Sequence, residues 1–241
     1  MEINKHEGLN PLQQFRYELL QWCGKTEDAA KAYQFVMGKQ QEAAQTQQTA
    51  QLQNNRLKDG VYFVIEGQAP IKFDGKDTVL PNDTYVGSIG LVMGEFSIKI
   101  AVQDEAKGER IPLTSMKNGN DPKDDAPYYI ESYEDAIAEM DGDISTEHLK
   151  PILNPDIKLQ PGWYIPSLGE MYRIFINLKE INAALEFIGK TPLYRGWYWT
   201  STESSATNAW GLYLNGGSTN GWGTKASLTT RVRAVSAFIN A

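Results

Sequence analysis

The sequence predicts an α+β domain over residues 57–241, preceded by a helical segment over residues 1–56. Three observations carry this reading. Apolar residues recur at helical spacing between Leu12 and Met37. From Val61 the period changes to two, the signature of half-buried strands. A helix is then announced by Ser167-Leu168-Gly169-Glu170, in which the Ser and Glu side chains satisfy each other's free backbone donors, and beyond it only strands and turns remain.

The elements follow in order. Asn10-Pro11 pairs a cap residue with proline at the first helical position, and Leu12, Phe15, Leu19, Trp22 and Cys23 fall on one face before Gly24. Thr26 with Glu27 and Asp28 opens a second helix, apolar through Ala29, Tyr33, Val36 and Met37, which fades into a Gln-rich tract from Gln40 to Gln53. Such a helix buries little alone. It is either a polar coiled coil or a solvated stalk, and Ala43, Ala44 and Ala50, which permit close approach, favour self-association into a homo-oligomer.

Val61 to Ile65 and Phe96 to Val102 read as strands between Gly, Pro and Asp punctuation. Lys117 to Pro127 is a polar loop. Ser132 caps a helix carrying Tyr133, Ala136, Ile137 and Met140 and ended by Gly142. The helix opened by Ser167 buries Met171, Ile174, Phe175 and Leu178, then runs on through Ile181, Leu185 and Ile188 to Gly189. In Ala209 to Leu214, alternation sets Trp210, Leu212 and Leu214 on a core face and Gly211 and Tyr213 on the other. One internal echo, Gly162-Trp163-Tyr164-Ile165-Pro166-Ser167 and Gly196-Trp197-Tyr198-Trp199-Thr200-Ser201, is too short to define a repeat array.

Composition bounds the function. The net charge is −7 and the pI about 5.0, which argue against a nucleic-acid backbone binder, since that would need a basic face. No apolar run reaches a membrane span, so membrane insertion is not expected. A single cysteine, Cys23, excludes an intrachain disulfide. Met1 to Asn10 lacks the plan of a signal peptide, so the chain is expected to be cytoplasmic when synthesised.

The acids stop at Glu203, and the remaining stretch carries only the cations Lys225, Arg231 and Arg233. Between Thr200 and Thr230 about half the residues are Ser, Thr or Asn, interleaved with five glycines and the rings of Trp210, Tyr213 and Trp222. Small adaptable hydrogen-bonding residues among rigid aromatics suit a binding surface. The competing reading is a Gly-rich hairpin whose tryptophans are core.

Catalytic and metal-binding patterns are sparse. His148 lacks any sign of a nucleophile and reads as a surface histidine, and zinc would need more His and Cys than the chain has. Ala184 to Thr191 ends in Gly-Lys-Thr, but Ala stands where a phosphate loop needs its leading Gly. Asn118, Asn120, Asp121, Asp124 and Asp125 fit no EF-hand spacing and read as a solvated turn, as do Asp141 and Asp143 at a helix end. Glu170 reads as the helix-box partner and Glu203 as a strand-end acceptor. No cofactor is expected.

Four segments together resemble a known family: Gly162 to Met171, Tyr198 to Glu203, Asn208-Ala209-Trp210, and Arg231 to Val235. In order they are similar to the bacterial and phage C-type-lectin-fold domains that include the variable proteins of diversity-generating retroelements. A weaker match covers Ile89 to Met93 with Val102-Gln103-Asp104, so the resemblance spans roughly residues 84–240. It implies two helices and a twisted antiparallel sheet, with variable side chains displayed between the Ser-Thr-Glu strand and the Val-Arg-x-Val strand. The expected ligand-binding residues are Trp197, Ser204, Ser205, Thr207, Asn208, Gly211, Tyr213, Ser218, Asn220, Trp222, Thr224, Ser227 and Thr229. The calcium signatures of sugar-binding lectins are absent, since Gln160-Pro161-Gly162 lacks the carboxylate. The cysteines of the related formylglycine-generating enzymes are absent too, which argues against catalysis. The implied role is a binding protein for a protein or glycan receptor, such as a virion-associated phage or prophage receptor-binding protein; a bacterial surface adhesin, or an enzyme related to the formylglycine-generating proteins, is the alternative.

Overall fold

The computed structural model describes residues 56–115 and 129–238. The chain divides into Met1–Arg56 with Ala241, and Leu57–Asn240. The expected N-terminal helices, their Gln-rich self-association surface and the polar loop at 117–127 lie outside the described residues.

A chain with period two from Val61 forms antiparallel ladders where expected. Strands β1 (Gly60–Val64), β2 (Ile71–Lys72), β3 (Ser88–Met93), β4 (Phe96–Ala101), β5 (Trp163–Tyr164) and β9 (Val235–Ala237) make one six-stranded sheet in the order β2-β1-β3-β4-β9-β5. Every pairing is antiparallel. The turn between β3 and β4 has Gly94 at φ 57, where a side chain would be strained, and its N–H donates to Asp59 Oδ1 at 2.8 Å. Strands β6 (Trp197–Glu203), β7 (Asn208–Tyr213) and β8 (Ser218–Thr224) form a second, three-stranded antiparallel sheet.

The described residues contain four α-helices rather than two: α1 (Tyr133–Ala138), α2 (Gly142–Leu149), α3 (Leu168–Ile176) and α4 (Leu178–Phe187). Two departures from expectation produce the extra pair. Gly142 does not end a helix: the first stops at Ala138, capped by Glu139, and Gly142 begins the next. A Cβ there would stand 2.2 Å from Glu170 Oε2 and 2.5 Å from Ser167 N, so packing demands glycine at the first position of this second helix. Asp141 and Asp143 therefore flank a helix start. The long helix from Ser167 also breaks, at Asn177 (φ −105, ψ 10), whose Nδ2 donates to Arg173 O at 2.9 Å. An Asn side chain offers the backbone a local alternative to the helical bond, which favours a break there. The Ser167/Glu170 capping box itself is present, and Ser132 accepts from Asp135 N as its cap role requires.

The main core is the layer between α3–α4 and the two sheets. Met171, Ile174, Ile181 and Leu185 pack with Phe63, Leu91, Ile98 and Ile100 of the large sheet and with Tyr198, Trp210, Leu212 and Leu214 of the small one, all buried. The predicted core trio Trp210, Leu212 and Leu214 is thus in place. On the far face of the large sheet Tyr62, Val92 and Phe238 form a smaller cluster, and a Cβ on Gly90 would lie 2.5 Å from the Phe238 ring.

Candidate functional site

The β6-β7-β8 sheet carries the expected binding segment, and register decides which side chains share a face. In antiparallel strands directly opposed residues point the same way. Trp197, Tyr213 and Ser218 are opposed in one row, and Trp199, Gly211 and Asn220 in the next. These belong to the face opposite Trp210. Its inner half is covered: Trp199 and Ala209 pack with Ile111, Leu113, Leu149, Ile152 and Val232, and Trp199 Nε1 donates to Ile111 O at 3.1 Å. Its outer half is more open. The Trp197 and Tyr213 rings meet at 5.3 Å between centroids, both half-buried, with Ser218 exposed beside them.

The strand β8 is not regular. Its register against β7 shifts between Ala209 and Gly211, so Thr224 opposes Asn208 whereas Asn220 opposes Gly211. A β-bulge adds one residue and reverses the parity beyond it. The thirteen expected contact residues therefore do not share one face. Trp197, Gly211, Tyr213, Ser218 and Asn220 stand together. Asn208 and Thr224 stand at the far end of the hairpin, on the opposite side and about 17 Å along the strand from the row of Tyr213 and Ser218. Thr207 is exposed in the β6–β7 turn, and Ser227 and Thr229 lie beyond β8, before the Thr230–Ile111 bridge.

Two expected contacts are withdrawn from solvent. Ser204 is buried, its hydroxyl donating to Gly221 O, so it staples the turn to β8. Gly211 is buried under Trp197, whose Cε3 lies 3.6 Å from where a Cβ would stand. Ser205 is half-buried and committed: its Oγ accepts from Asn208 N at 3.1 Å and Thr207 N at 3.3 Å.

Trp222 sits in the bulge with 85% of its surface exposed. Its neighbours fix its backbone. A Cβ on Gly221 would be 2.9 Å from the Trp210 ring, and one on Gly223 would be 2.8 Å from the Trp199 ring. Each glycine is thus pressed under a different buried indole, one on each side of the sheet. The Trp222 N–H donates to Asn220 Oδ1 at 2.8 Å. An exposed aromatic on an immobilised backbone loses little freedom when a partner covers it.

Two buried ionic clusters frame the segment, and sequence reasoning missed both. Glu203 Oε1 pairs with Lys225 Nζ while Glu203 Oε2 lies 2.7 Å from His148 Nδ1, with Lys225 fully buried. His148 is thus no surface residue; its side chain is 10% exposed. At the other end of β6, Asp104 accepts from Arg233 Nε at 2.5 Å, from Tyr198 Oη at 3.0 Å and, more weakly, from Arg231 Nη1 at 3.4 Å. Burial, reinforced by Asp104, holds the Tyr198 hydroxyl well above the usual tyrosine range. A signal existed for Glu203 and Lys225: they are the last acid and the first base around an uncharged stretch.

A third cluster underlies the helices. Glu170 is 3% exposed, accepts from Ser167 N at 2.8 Å and from Tyr164 Oη at 2.9 Å, and burial pushes its carboxyl up from 4.5 to about 7. Nearby, Glu139 accepts from Ser145 Oγ at 2.7 Å and from Thr202 Oγ1. The Asn118–Asp125 turn lies outside the described residues. No helix among the described residues is long and apolar enough to cross a membrane.

What the fold and this site define is an α+β domain of antiparallel sheets carrying an uncharged, aromatic hairpin. No known protein family matches the chain, and no curated protein does. A solved structure described as a fimbrial protein from Bacteroides ovatus ATCC 8483 is similar to it, at 20% identity and TM-score 0.41, over 58% of this chain and 35% of that one. The matched region is therefore about a third of that protein's length.

Proposed function

We propose that the chain is a non-catalytic binding protein of C-type-lectin-like fold that recognises a protein or glycan receptor through the β7–β8 hairpin. The observation that carries this reading is Trp222, 85% exposed between two glycines pinned under Trp210 and Trp199. Anchors of this kind dominate affinity in most interfaces, and the uncharged surroundings avoid desolvating an unpaired ion. The fold assignment draws support from the order of parts: a short strand at Trp163-Tyr164, a capping-box helix, the Ser-Thr-Glu end of β6, and the Arg231 to Val235 segment, which runs beside β6 and enters β9. The bulge refines the binding surface. Trp197, Tyr213, Ser218 and Asn220 form one patch, and Trp222 with Thr207, Asn208 and Thr224 lies toward the other end of the hairpin.

The same reading makes the chain a candidate for retroelement diversification, for virion association and for self-association through residues 1–56. Two tests apply. Flanking DNA holding a reverse transcriptase and a near-copy of the 3′ coding segment differing at adenines would support diversification; their absence would remove it. For binding, labelled full-length protein is applied to a glycan array and to intact bacterial cells. Trp222→Ala and Tyr213→Ala should each weaken whatever binding is seen by about tenfold without lowering Tm. Binding that survives both changes would place the site elsewhere.

A further inference from the structure

A second surface, sharing no residue with the hairpin, has the makings of a ligand site. A half-open cleft of about 710 Å³ lies where β4, β9 and β5 meet the 105–108 turn. That volume falls within the roughly 300–1,000 Å³ usual for small-molecule sites. Its walls include two aromatic rings, Tyr85 and Trp163. Tyr85 is 73% exposed, although the next residue, Val86, is buried in the main core. Trp163 is half-buried at the edge of the large sheet, with Lys99 Nζ 5.7 Å from its ring centroid and its own N–H donating to Gln160 O at 2.9 Å.

The polar lining is as informative as the rings. The side chains of Gln103, Gln160, Glu109 and Asp156 line the cleft and make no hydrogen bond or ion pair among the described residues; the ammonium groups of Lys107 and Lys158 are likewise uncommitted. Donors and acceptors of both signs, with two amides, are therefore presented together. An anionic ligand would meet Glu109 and Asp156, and a cationic one would meet Lys107 and Lys158. A neutral ligand bearing many hydroxyls can use all of them, because each hydroxyl both donates and accepts. Its apolar C–H faces would match the Tyr85 and Trp163 rings.

The backbone beneath the cleft is strained in a way that needs holding. Ala106 (φ 47, ψ 35) and Lys107 (φ 56, ψ 25) are consecutive non-glycine residues in the left-handed region. Such residues persist only where the surroundings over-determine them, and they cluster at binding sites. Here Glu105 N donates to Val232 O at 2.9 Å, Arg231 Nη1 donates to Gly108 O, and Glu105 Oε2 accepts from Lys158 N at 2.9 Å. The two cleft walls, 105–109 and 156–160, are tied together by that last bond.

We infer that this cleft binds a neutral oligosaccharide, with Tyr85 and Trp163 as stacking platforms and Gln103, Gln160, Glu109 and Asp156 as hydroxyl partners. The test is affinity electrophoresis of the full chain through gels containing soluble starch, hydroxyethyl cellulose, glycol chitin or galactomannan, with heparin as the polyanionic comparison. Fluorescence titration with the corresponding hexasaccharides then measures affinity. At least one neutral polymer should retard the protein and heparin should not. Tyr85→Ala and Trp163→Ala should each lower affinity for the matching hexasaccharide about tenfold. Tyr213→Ala and Trp222→Ala should leave it unchanged, which separates this site from the hairpin. Tyr85 is exposed enough that its replacement does not threaten folding, so the test stands even if Trp163→Ala misfolds. No retardation by any neutral polymer, retardation by heparin alone, or affinity untouched by Tyr85→Ala would overturn the inference.

Discussion

Replacing Glu170 by Gln should abolish a pH dependence of stability that runs against the usual direction for a carboxylate. The group lies in the first turn of α3, buried against Gly142 at the start of α2, and burial raises its folded-state value from 4.5 to about 7, although Ser167 N–H and Tyr164 Oη both donate to it. A carboxyl raised on folding binds its proton more tightly in the native state. Its stabilising share is complete below pH 4.5, falls through the window between 4.5 and 7, and is gone above it. Each pH unit in that window is worth about 1.4 kcal/mol, so the ionised carboxylate costs about 3 kcal/mol by pH 8. Glutamine keeps the geometry: its carbonyl can take the Ser167 N–H, and its amide can donate to Tyr164 Oη. The assay is urea unfolding followed by tryptophan fluorescence, since five of the six tryptophans lie in Leu57–Asn240. Between pH 5 and pH 8 the wild type should lose about 2–3 kcal/mol more than Glu170→Gln, with the other titrating groups cancelling in the difference. Parallel pH profiles for the two proteins would show that the buried carboxyl is not held protonated and would refute the argument.

Other substitutions test the packing account. Gly223→Ala should cost about 1–3 kcal/mol by forcing a methyl against the Trp199 ring, whereas Gly216→Ala, with nothing within 4 Å, should be nearly silent; thermal unfolding of the pair checks this. Trp210→Ala should cost about 3–5 kcal/mol, through lost burial and the lost bond from Nε1 to Ile130 O, while exposed Thr224→Tyr should stay within about 0.5 kcal/mol. Asp104→Ala strands Arg233, which is 1% exposed, and should destabilise by about 3–5 kcal/mol; a loss under 1 kcal/mol would mean that Arg233 finds another partner.

Much of the fold was legible because local chemistry and tertiary role agreed. The Ser167/Glu170 box, the Ser132 cap, the strands at Val61 and Phe96 and the core trio of Trp210, Leu212 and Leu214 all follow from period and capping alone. The misreadings share a different cause. Gly142 looks like a stop signal, yet its missing side chain answers to the Glu170 carboxylate, a contact made across a sequence separation no local pattern reports. His148 looks solvated among acids until β6 brings Glu203 beneath it. The uncharged segment after Glu203 is the hardest case. Alternation assigns faces only while the ladder is regular, and Ser218 to Thr224 contains two glycines whose packing on Trp210 and Trp199 shifts the register. The bulge cannot be read from a stretch in which nearly every residue is small, so alternation alone does not reveal that Thr224 stands with Asn208.

The two buried ionic clusters explain how such a segment can be both ordered and permissive. Glu203 immediately precedes Ser204, and Lys225 immediately follows Thr224. Their buried bond therefore closes the base of the whole β7–β8 excursion, as Lys225 N does again by donating to Thr207 O at 2.9 Å. At the opposite end of β6, Asp104 gathers Arg233 and Tyr198, while Trp199 N donates to Arg231 O at 2.9 Å. A buried pair of this kind adds little net stability over apolar packing, because desolvation offsets most of the attraction, but breaking one partner is costly. It thus acts mainly on where the chain is allowed to go. With both ends of the excursion fixed by interactions that lie outside it, side chains such as Thr207, Ser218 and Trp222 touch few structural neighbours and can change without loosening the frame. The order in this hairpin comes from its boundaries and its pinned glycines, which leaves the exposed side chains with little structural work.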